Sequence, residues 1–440
     1  MPKQRHLHLN LVANDINRHH GAPAYEREHG NSADGRGPYA RLLEYARFGD
    51  EGLFTAIFIG DLPGMSSSPA FDLGPADPIT SLVAIAQHTR YVGLIATAST
   101  TFYDPYNLAR LLASLDQLSD GRAGFNAVTS AGEQFALNYS LEAHLDRETR
   151  YRRAEEFVDV VKALWENREL RTGPDGVTRF YAHPINHRGA YFSVAGPLGV
   201  APSRQGRPML AQAGGSGAGI TLAAKHAEMV FTNATTREQA ASYQAQLNDA
   251  LAGAGRPRDS VPQIPGLIPF LGPTAAAAEE RMRALDDHVP WEFLAPFAIG
   301  QFGFEVPYDS LDDVIDIRTL PRPEDVEKTI SSTYGNYVGL YNWLREHPGA
   351  TVKDITAQSI GRGGAQHRKF VGSYDEIVEN FAQWFEDGNV GGFNLMFPIS
   401  GSDIQEFIDE VVPRLIDRGI YRKTPHERPL RERFGEEVAE

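Results

Sequence analysis

Short apolar runs that end in hydroxyl and amide side chains recur along this chain, with helical patterns between them. The clearest pair lies between Tyr91 and Ser130. There Tyr91-Val-Gly-Leu-Ile-Ala-Thr97 passes into Ser99-Thr100-Thr101, and Arg122-Ala-Gly-Phe-Asn126-Ala-Val passes into Thr129-Ser130. A continuous apolar run of this length suits a strand buried on both faces of a parallel sheet. Polar side chains at its carboxyl end stand where an α/β barrel assembles a site. Similar runs occupy 7–12, 54–60, 208–213, 229–232, 264–271 and 392–397. Eight runs alternating with helices predict a (β/α)8 TIM barrel, an α/β fold in a single domain over 1–440, rather than an open sheet.

Local punctuation supports the helices. Asp77-Pro78 and Asp104-Pro105 each set an N-capping carboxylate before a proline at the first helical position. Residues 146–165 place Ala154, Phe157, Val158, Val161, Leu164 and Trp165 on one face, the 3.6-residue period of an amphipathic helix. Ser373-x-x-Glu376 and Ser402-x-x-Gln405 have the spacing of capping boxes. Two stretches interrupt the rhythm. Residues 166–207 predict a hairpin-like excursion over one end of the barrel. Residues 289–370, between the seventh and eighth runs, predict a long insertion with a local helix near 324–346, lying over the site as a lid or substrate wall. The charged tail 418–440 is expected to pack on a neighbouring surface or subunit.

Charge narrows the function classes. With 57 acidic against 42 basic residues the net charge is −15, and no basic block stands out. Nucleic acid and anionic membranes are therefore poor partners. The chain has no cysteine, which removes disulfides, thiolate nucleophiles and cysteine-ligated metals. No set of histidines and carboxylates has metal-ligand spacing. The absence of a signal-peptide core and of any long apolar span predicts a cytoplasmic protein.

Candidate site residues come from the run ends. Asp61 follows Ile57-Phe-Ile-Gly60, where a carboxylate serves a ligand ring, orients a neighbour or caps a helix. Thr97, Ser99, Thr100 and Thr101 cluster at the end of the third run. Asn126 lies inside the fourth, where Asn is disfavoured and its amide needs partners, from neighbours or from a ligand. Thr129-Ser130 repeat the pattern. Arg150-Tyr151 open the long helix, whose amino end favours an anion. Gln212-Ala-Gly214-Gly215-Ser216-Gly217-Ala-Gly219 leads from the fifth run into another helix. Its spacing is G-x-G-x-G rather than a dinucleotide fingerprint, so a monophosphate fits better. His19 and His20 fall in the loop after the first run, as a pocket wall or as solvated side chains.

Together these residues resemble the flavin-dependent monooxygenases of the bacterial-luciferase superfamily, on the branch of nitrilotriacetate monooxygenase, dibenzothiophene-sulfone monooxygenase and pristinamycin synthase. The resemblance rests on Gly93-Leu-x-x-Thr97-x-Ser99-Thr100, Asp116-x-x-Ser119-x-Gly121-Arg122-x-Gly-x-Asn126-x-Val-Thr129-Ser130 and Arg150-Tyr151-x-x-Ala154-x-Glu156-Phe157. It continues through Gly196-Pro-Leu198, Gln205-Gly-x-Pro208, Gln212-Ala-Gly-x-Ser216, Val412-Pro-x-Leu-x-x-Arg418-Gly and Thr424 to Leu430-Arg-Glu432. It implies a barrel binding FMN through Asp61, Thr97, Asn126, Ser130, Arg147, Tyr151, Gly214, Gly215 and Ser216, with Tyr151 and Ser216 at the phosphate. Asn126 would face the reactive edge of the flavin, and His20 is the second candidate for a catalytic role. Three positions depart from the family pattern: Arg147 replaces a histidine, Phe125 a tryptophan and Gly391 an aspartate. The resemblance further implies a two-component system. An NAD(P)H:flavin reductase would supply reduced FMN, O2 would be the co-substrate, and a C–N or C–S bond of a small organic molecule would be oxidised or cleaved. A homodimer or homotetramer would be the assembly. A flavin-consuming lyase, a deazaflavin-dependent oxidoreductase and a non-catalytic flavin carrier are the alternatives on the same barrel.

Overall fold

The apolar runs become strands because each is flanked by capped helices that bury its outer face. The computed structural model describes residues 6–13, 18–29, 38–61, 63–64, 76–130, 132–326, 329–330, 334–364 and 367–435. Its main sheet comprises β1 (His8–Val12), β2 (Ala56–Ile59), β3 (Gly93–Ser99), β4 (Ala123–Val128), β5 (Met209–Ala213), β6 (Met229–Thr232), β7 (Gln263–Gly272), β8 (Arg368–Ser373) and β9 (Gly392–Leu395). The order is β6-β5-β4-β3-β2-β1-β9-β7-β8, and an added β6–β7 pairing closes eight of the strands into a barrel. Every pairing in this sheet is parallel. The TIM-barrel expectation therefore holds, with a correction. β8 is a ninth strand that runs beside the carboxyl half of β7, and its first three residues fall in the stretch expected to be insertion.

Alternation along the strands divides the apolar side chains into two cores. Leu9, Leu11, Leu94, Ala96 and Phe125 point outward against the helices. Val12, Phe58, Ile95, Met209, Met229 and Met396 fill the barrel itself. The helices around the barrel are α1 (Pro38–Glu51), α2 (Pro78–Ala86), α3 (Pro105–Leu118), α4 (Arg147–Glu166), α5 (Gly217–His226), α6 (Arg237–Gly253), α7 (Ala275–Asp286) and α8 (Tyr374–Glu386). Asp77 caps α2 through the Thr80 amide, Asp104 caps α3 through the Asn107 amide, and α8 has the reciprocal Ser373–Glu376 capping box. The matching box at Ser402 is absent. Gly401, at φ 117°, takes the N-cap position, so Ser402 is already the first helical residue. A conformation at positive φ suits glycine and leaves the following hydroxyl displaced from the capping position.

The tail closes the amino-terminal end of the barrel. Leu430 is fully buried, its amide donates to the Gly121 carbonyl at 3.0 Å, and Arg433 Nη1 donates to the Thr55 carbonyl at 2.9 Å. Nearby, the buried Arg122 guanidinium donates to Ser119 O, Val92 O, Ala86 O, Thr89 O and Thr89 Oγ1. One side chain thus satisfies the carbonyls left where helices turn into strands. Between α4 and β5 an antiparallel hairpin pairs Arg168–Thr172 with Thr178–Ala182. Between α7 and β8, Phe302, Tyr337, Leu340, Val352 and Ile355 form a core of their own. The helix expected near 324–346 is two helices, Pro323–Val326 and Tyr334–Glu346; residues 327–328 and 331–333 between them lie outside the described residues.

First and last strands meet where a side chain cannot fit. A Cβ on Gly392 would lie 1.7 Å from the His8 carbonyl oxygen. Gly392→Ala is therefore expected to destabilise the fold by about 3 kcal/mol, the upper range for overpacking against rigid backbone. A chemical denaturation midpoint unchanged from the parent would show that the seam relaxes freely.

Candidate active site

The carboxyl ends of the strands form one rim, and the described polar residues on it divide into two halves. The first half spans β2 to α5. Thr97 and Asn126 are register partners on β3 and β4, alternate with outward-facing Ala96 and Phe125, and so point into the barrel. Both are buried. Asn126 Nδ2 donates to Thr97 Oγ1 at 3.0 Å, while Asn126 Oδ1 has no partner among the described residues. A buried amide oxygen without a donor is costly and marks a place where a ligand N–H or O–H would be stabilised. Asp61 follows β2 and is half-buried; its charge reaches the phenols of Tyr103 and Tyr139.

Tyr151 and Ser216 arrive from different helices. Tyr151 lies in the second turn of α4, and Ser216 caps α5. Ser216 Oγ donates to Tyr151 Oη at 3.2 Å and accepts from the Gly219 amide at 3.3 Å. The two hydroxyls therefore face each other across the amino end of α5. A Cβ on Gly215 would come no closer than 3.9 Å to Asn233 Oδ1, and one on Gly217 would meet nothing within 4 Å. This is an open cradle of small residues at a helix N-terminus, the setting in which backbone amides hold phosphate. Gly214 is tied down by Tyr243 Oη, which donates to its carbonyl at 3.1 Å. The Ser130 backbone sits at φ 41°, and its carbonyl accepts from Arg150 Nη1 at 2.7 Å and lies 3.0 Å from His144 Nε2. Arg147, at the first position of α4, is exposed.

A second half of the rim, from β6 round to the loop after β1, is aromatic and basic. Phe231 of β6 packs edge-on against Phe58 at 5.3 Å and stacks with His367 at 5.6 Å. Lys369 of β8 donates to Gln358 O at 2.9 Å, Gln358 Oε1 at 3.2 Å and Gly364 O at 3.2 Å. Burial, with Arg362 nearby, brings its ammonium down to about 7. Burial first, then Arg18 and Lys369, push His367 down to about 3, so its imidazole is neutral. Of the paired histidines, His19 is the buried one. Its Nδ1 accepts from the Gly21 amide at 3.1 Å, which leaves the proton on Nε2 to donate to Asp286 Oδ1 at 3.1 Å. His20 is half-buried, and its amide donates to the Gly361 carbonyl at 3.0 Å.

Sequence reasoning had placed Asp61, Thr97, Asn126, Tyr151 and Ser216 on the first half. It missed Arg18, Asp286, His367 and Lys369, which come from loops, from the end of α7 and from the unexpected β8. The dipeptide Arg368-Lys369 held the one available signal. On a strand, successive side chains face opposite ways, and Arg368 pairs with Asn380 of α8 at 2.8 Å, so Lys369 must turn the other way. Among the described residues no group of three or more His, Asp or Glu could hold a metal ion, and no helix is long and apolar enough to cross a membrane.

Comparison with known proteins agrees with this geometry. A family model described as luciferase-like monooxygenase matches residues 17–390. The chain is 36% identical to N-acetyl-S-(2-succino)cysteine monooxygenase of Bacillus subtilis (strain 168), over 89% of this chain and 88% of that protein. It is 34% identical to nitrilotriacetate monooxygenase component A of Aminobacter aminovorans, over 82% of this chain and 78% of that protein. The solved structure of EDTA monooxygenase from Chelativorans sp. BNC1 superposes with a TM-score of 0.80 at 27% identity, covering 98% of each chain.

Asp286 organises the basic half by accepting from both His19 and Arg362, the latter through Nε at 3.0 and 3.1 Å. Burial alone would raise its pKa, but the His19 and Arg362 hydrogen bonds outweigh that and hold it below the ordinary 3.8. Its stabilising contribution is therefore full above about pH 4 and is lost as pH falls through the depressed value. Asp286→Ala is expected to cost about 2 kcal/mol, because it strands two donors. It should also speed hydrogen exchange at the His20 and Gly21 amides. Unchanged exchange there would remove Asp286 from this role.

Proposed function

The chain belongs to the luciferase-like, flavin-dependent monooxygenases, and from that premise we propose that it binds reduced FMN delivered by a separate NAD(P)H:flavin reductase and oxidises or cleaves a C–N or C–S bond of a small organic substrate. The observation that carries the FMN part is the Tyr151–Ser216 hydroxyl pair at 3.2 Å over the cradle open at Gly215 and Gly217. A terminal phosphate placed there would receive two hydroxyl hydrogen bonds and the field of the α5 amino end. The orphaned Asn126 Oδ1, deeper in the barrel, suits an N–H of the flavin ring. Asp61 and Thr97 flank that position and complete the polar crescent. When bound, reduced flavin supplies the electrons that activate O2, one atom of which enters substrate while the other leaves as water.

What the chain itself must do is hold the ring, seat the substrate across from it and keep water out. Phe58 and Phe231 give the floor of that space. Residues 289–370 are the proposed cover. In support, the Gly361 carbonyl is tied to the His20 amide, and the described residues of the segment have an apolar core of their own. The bond class follows relatives whose names give an amine, nitrilotriacetate, and a thioether, N-acetyl-S-(2-succino)cysteine, as substrates.

Anaerobic titration with reduced FMN, followed by mixing with O2, tests the central claim. Saturable binding, and incorporation of label from isotopic O2 into an amine or thioether substrate, are the expected outcomes; failure to bind reduced FMN would end the proposal. Ser216→Ala and Tyr151→Phe should each weaken reduced-FMN binding by about 1–3 kcal/mol through a lost phosphate hydrogen bond. Full affinity in both variants would move the phosphate elsewhere.

A further inference from the structure

We propose that Arg18, His367 and Lys369 form an anion pocket on the mouth of the barrel that selects substrates carrying a free carboxylate. The inference rests on the reading of the mouth as a monooxygenase site and deepens it by naming the substrate class.

Charge balance in the basic half is the starting point. The guanidinium groups of Arg18 and Arg362 and the Lys369 amine meet there with one carboxylate among the described residues, Asp286. That carboxylate is already committed: Arg362 grips it through Nε and Nη2, and His19 donates to it as well. Among the described residues Lys369 has only neutral oxygens as hydrogen-bond partners. Arg18 makes no hydrogen bond or ion pair to any described residue, and its surroundings disfavour its charge chiefly by burial. A cation left deep in a fold without a counter-charge is strongly unfavourable unless an anion from outside completes it.

Position makes the excess charge usable. Arg18 and Lys369 sit deep in the fold, yet each retains accessible surface, so neither is sealed within packed core. Arg18 is held from both sides. The His19 and His20 amides donate to Pro398 O and Gly361 O, and Gly363, at φ 103°, passes so closely that a Cβ there would lie 3.3 Å from the Arg18 Cβ. The backbone and Cβ of Arg18 are thus pre-positioned, and the planar fork at the end of its side chain matches a carboxylate. His367 adds a neutral imidazole whose Nδ1 has no partner among the described residues. It is reached through Phe231 from Phe58, three residues before Asp61. An apolar substrate body on this aromatic floor would have the flavin crescent on one side and the cations on the other.

The phosphate of the cofactor is the rival anion, and the cradle at Ser216 lies on the opposite half of the rim. The two are separable by experiment on the full-length protein. Thiodiacetic acid and iminodiacetic acid, each beside its dimethyl ester, serve as probes by calorimetric titration in the presence and absence of anaerobic reduced FMN. The acids should bind at least about ten-fold more tightly than the esters. Arg18→Gln and Lys369→Met should each reduce acid affinity by about ten-fold while leaving ester and reduced-FMN affinity within about two-fold. Arg18→Lys, which keeps the charge but not the fork, should fall between parent and Arg18→Gln. Circular dichroism identifies a variant that fails to fold, and the other position then carries the comparison.

Equal binding of acid and ester, or binding of neither, would overturn the pocket. So would a loss of reduced-FMN affinity in the variants, which would assign the cations to the cofactor. A parent protein that binds no reduced FMN at all would instead sink the function proposed above, a result visible before any probe is added.

Discussion

Closure of the sheet between its first and last strands is the constraint on which the rest of the structure depends. β1 and β9 are brought together from opposite ends of the chain. Inside the barrel Asn10 Nδ2 donates to Asn394 Oδ1 at 2.9 Å across a separation of 384 residues, and Asn394 Nδ2 continues to Ile264 O at 2.7 Å. The seam passes only because Gly392 presents no side chain to the His8 carbonyl. A parallel sheet left open here would expose unpaired backbone on β1 and β9 and lose the inner core. Closed, it fixes eight carboxyl ends on one rim, and the tail residues Leu430 and Phe434 stop the other end.

That rim explains how residues as distant in sequence as Thr97 and Lys369 come to share a site. Strand order assigns them to sectors. β2, β3, β4 and β5 contribute hydroxyls, an amide and the Gly214–Gly217 cradle. β6, β7, β8 and the loop after β1 contribute aromatic and basic side chains. Each half has an interaction that sets its geometry: Asn126 with Thr97 on one side, Asp286 with His19 and Arg362 on the other. Because these supporting contacts come from strands, helix ends and tightly tied loops, the groups they orient are positioned before any ligand arrives.

Much of this was legible in the sequence, for physical reasons that differ between parts. Buried parallel strands must be apolar along their whole length, so the eight barrel runs were visible and their ends marked the polar crescent. Capping signals worked where the hydroxyl or carboxylate held the N-cap backbone position, as at Asp77, Asp104 and Ser373, and misled at Ser402, where Gly401 took that position. β8 was hidden because Arg368-Lys-Phe-Val-Gly-Ser373 carries two cations and begins inside the stretch that reads as insertion. Its half-buried side chains do not need the continuous apolar pattern of a barrel strand. The basic half was invisible for a related reason. A sequence shows that Lys369 and Arg18 are charged, but not that they are deep, nor that Asp286 is spent on other partners.

Net charge is the quantity on which sequence and structure diverge most instructively. A value of −15 argues against polyanionic partners, because such partners contact many surface charges at once. It does not bear on a small anion entering the barrel. Surface charges more than about 8–10 Å away are screened by salt, whereas groups inside a water-poor mouth act over a few ångströms in a lower dielectric. A molecule whose exterior is acidic can therefore hold an interior that is locally positive, with the acidic surface opposing unspecific anions and the buried cations admitting one that fits. The sign that matters at such a site is set by whichever charges remain unpaired within contact distance, and here Asp286, the one carboxylate among the described residues there, has already been claimed.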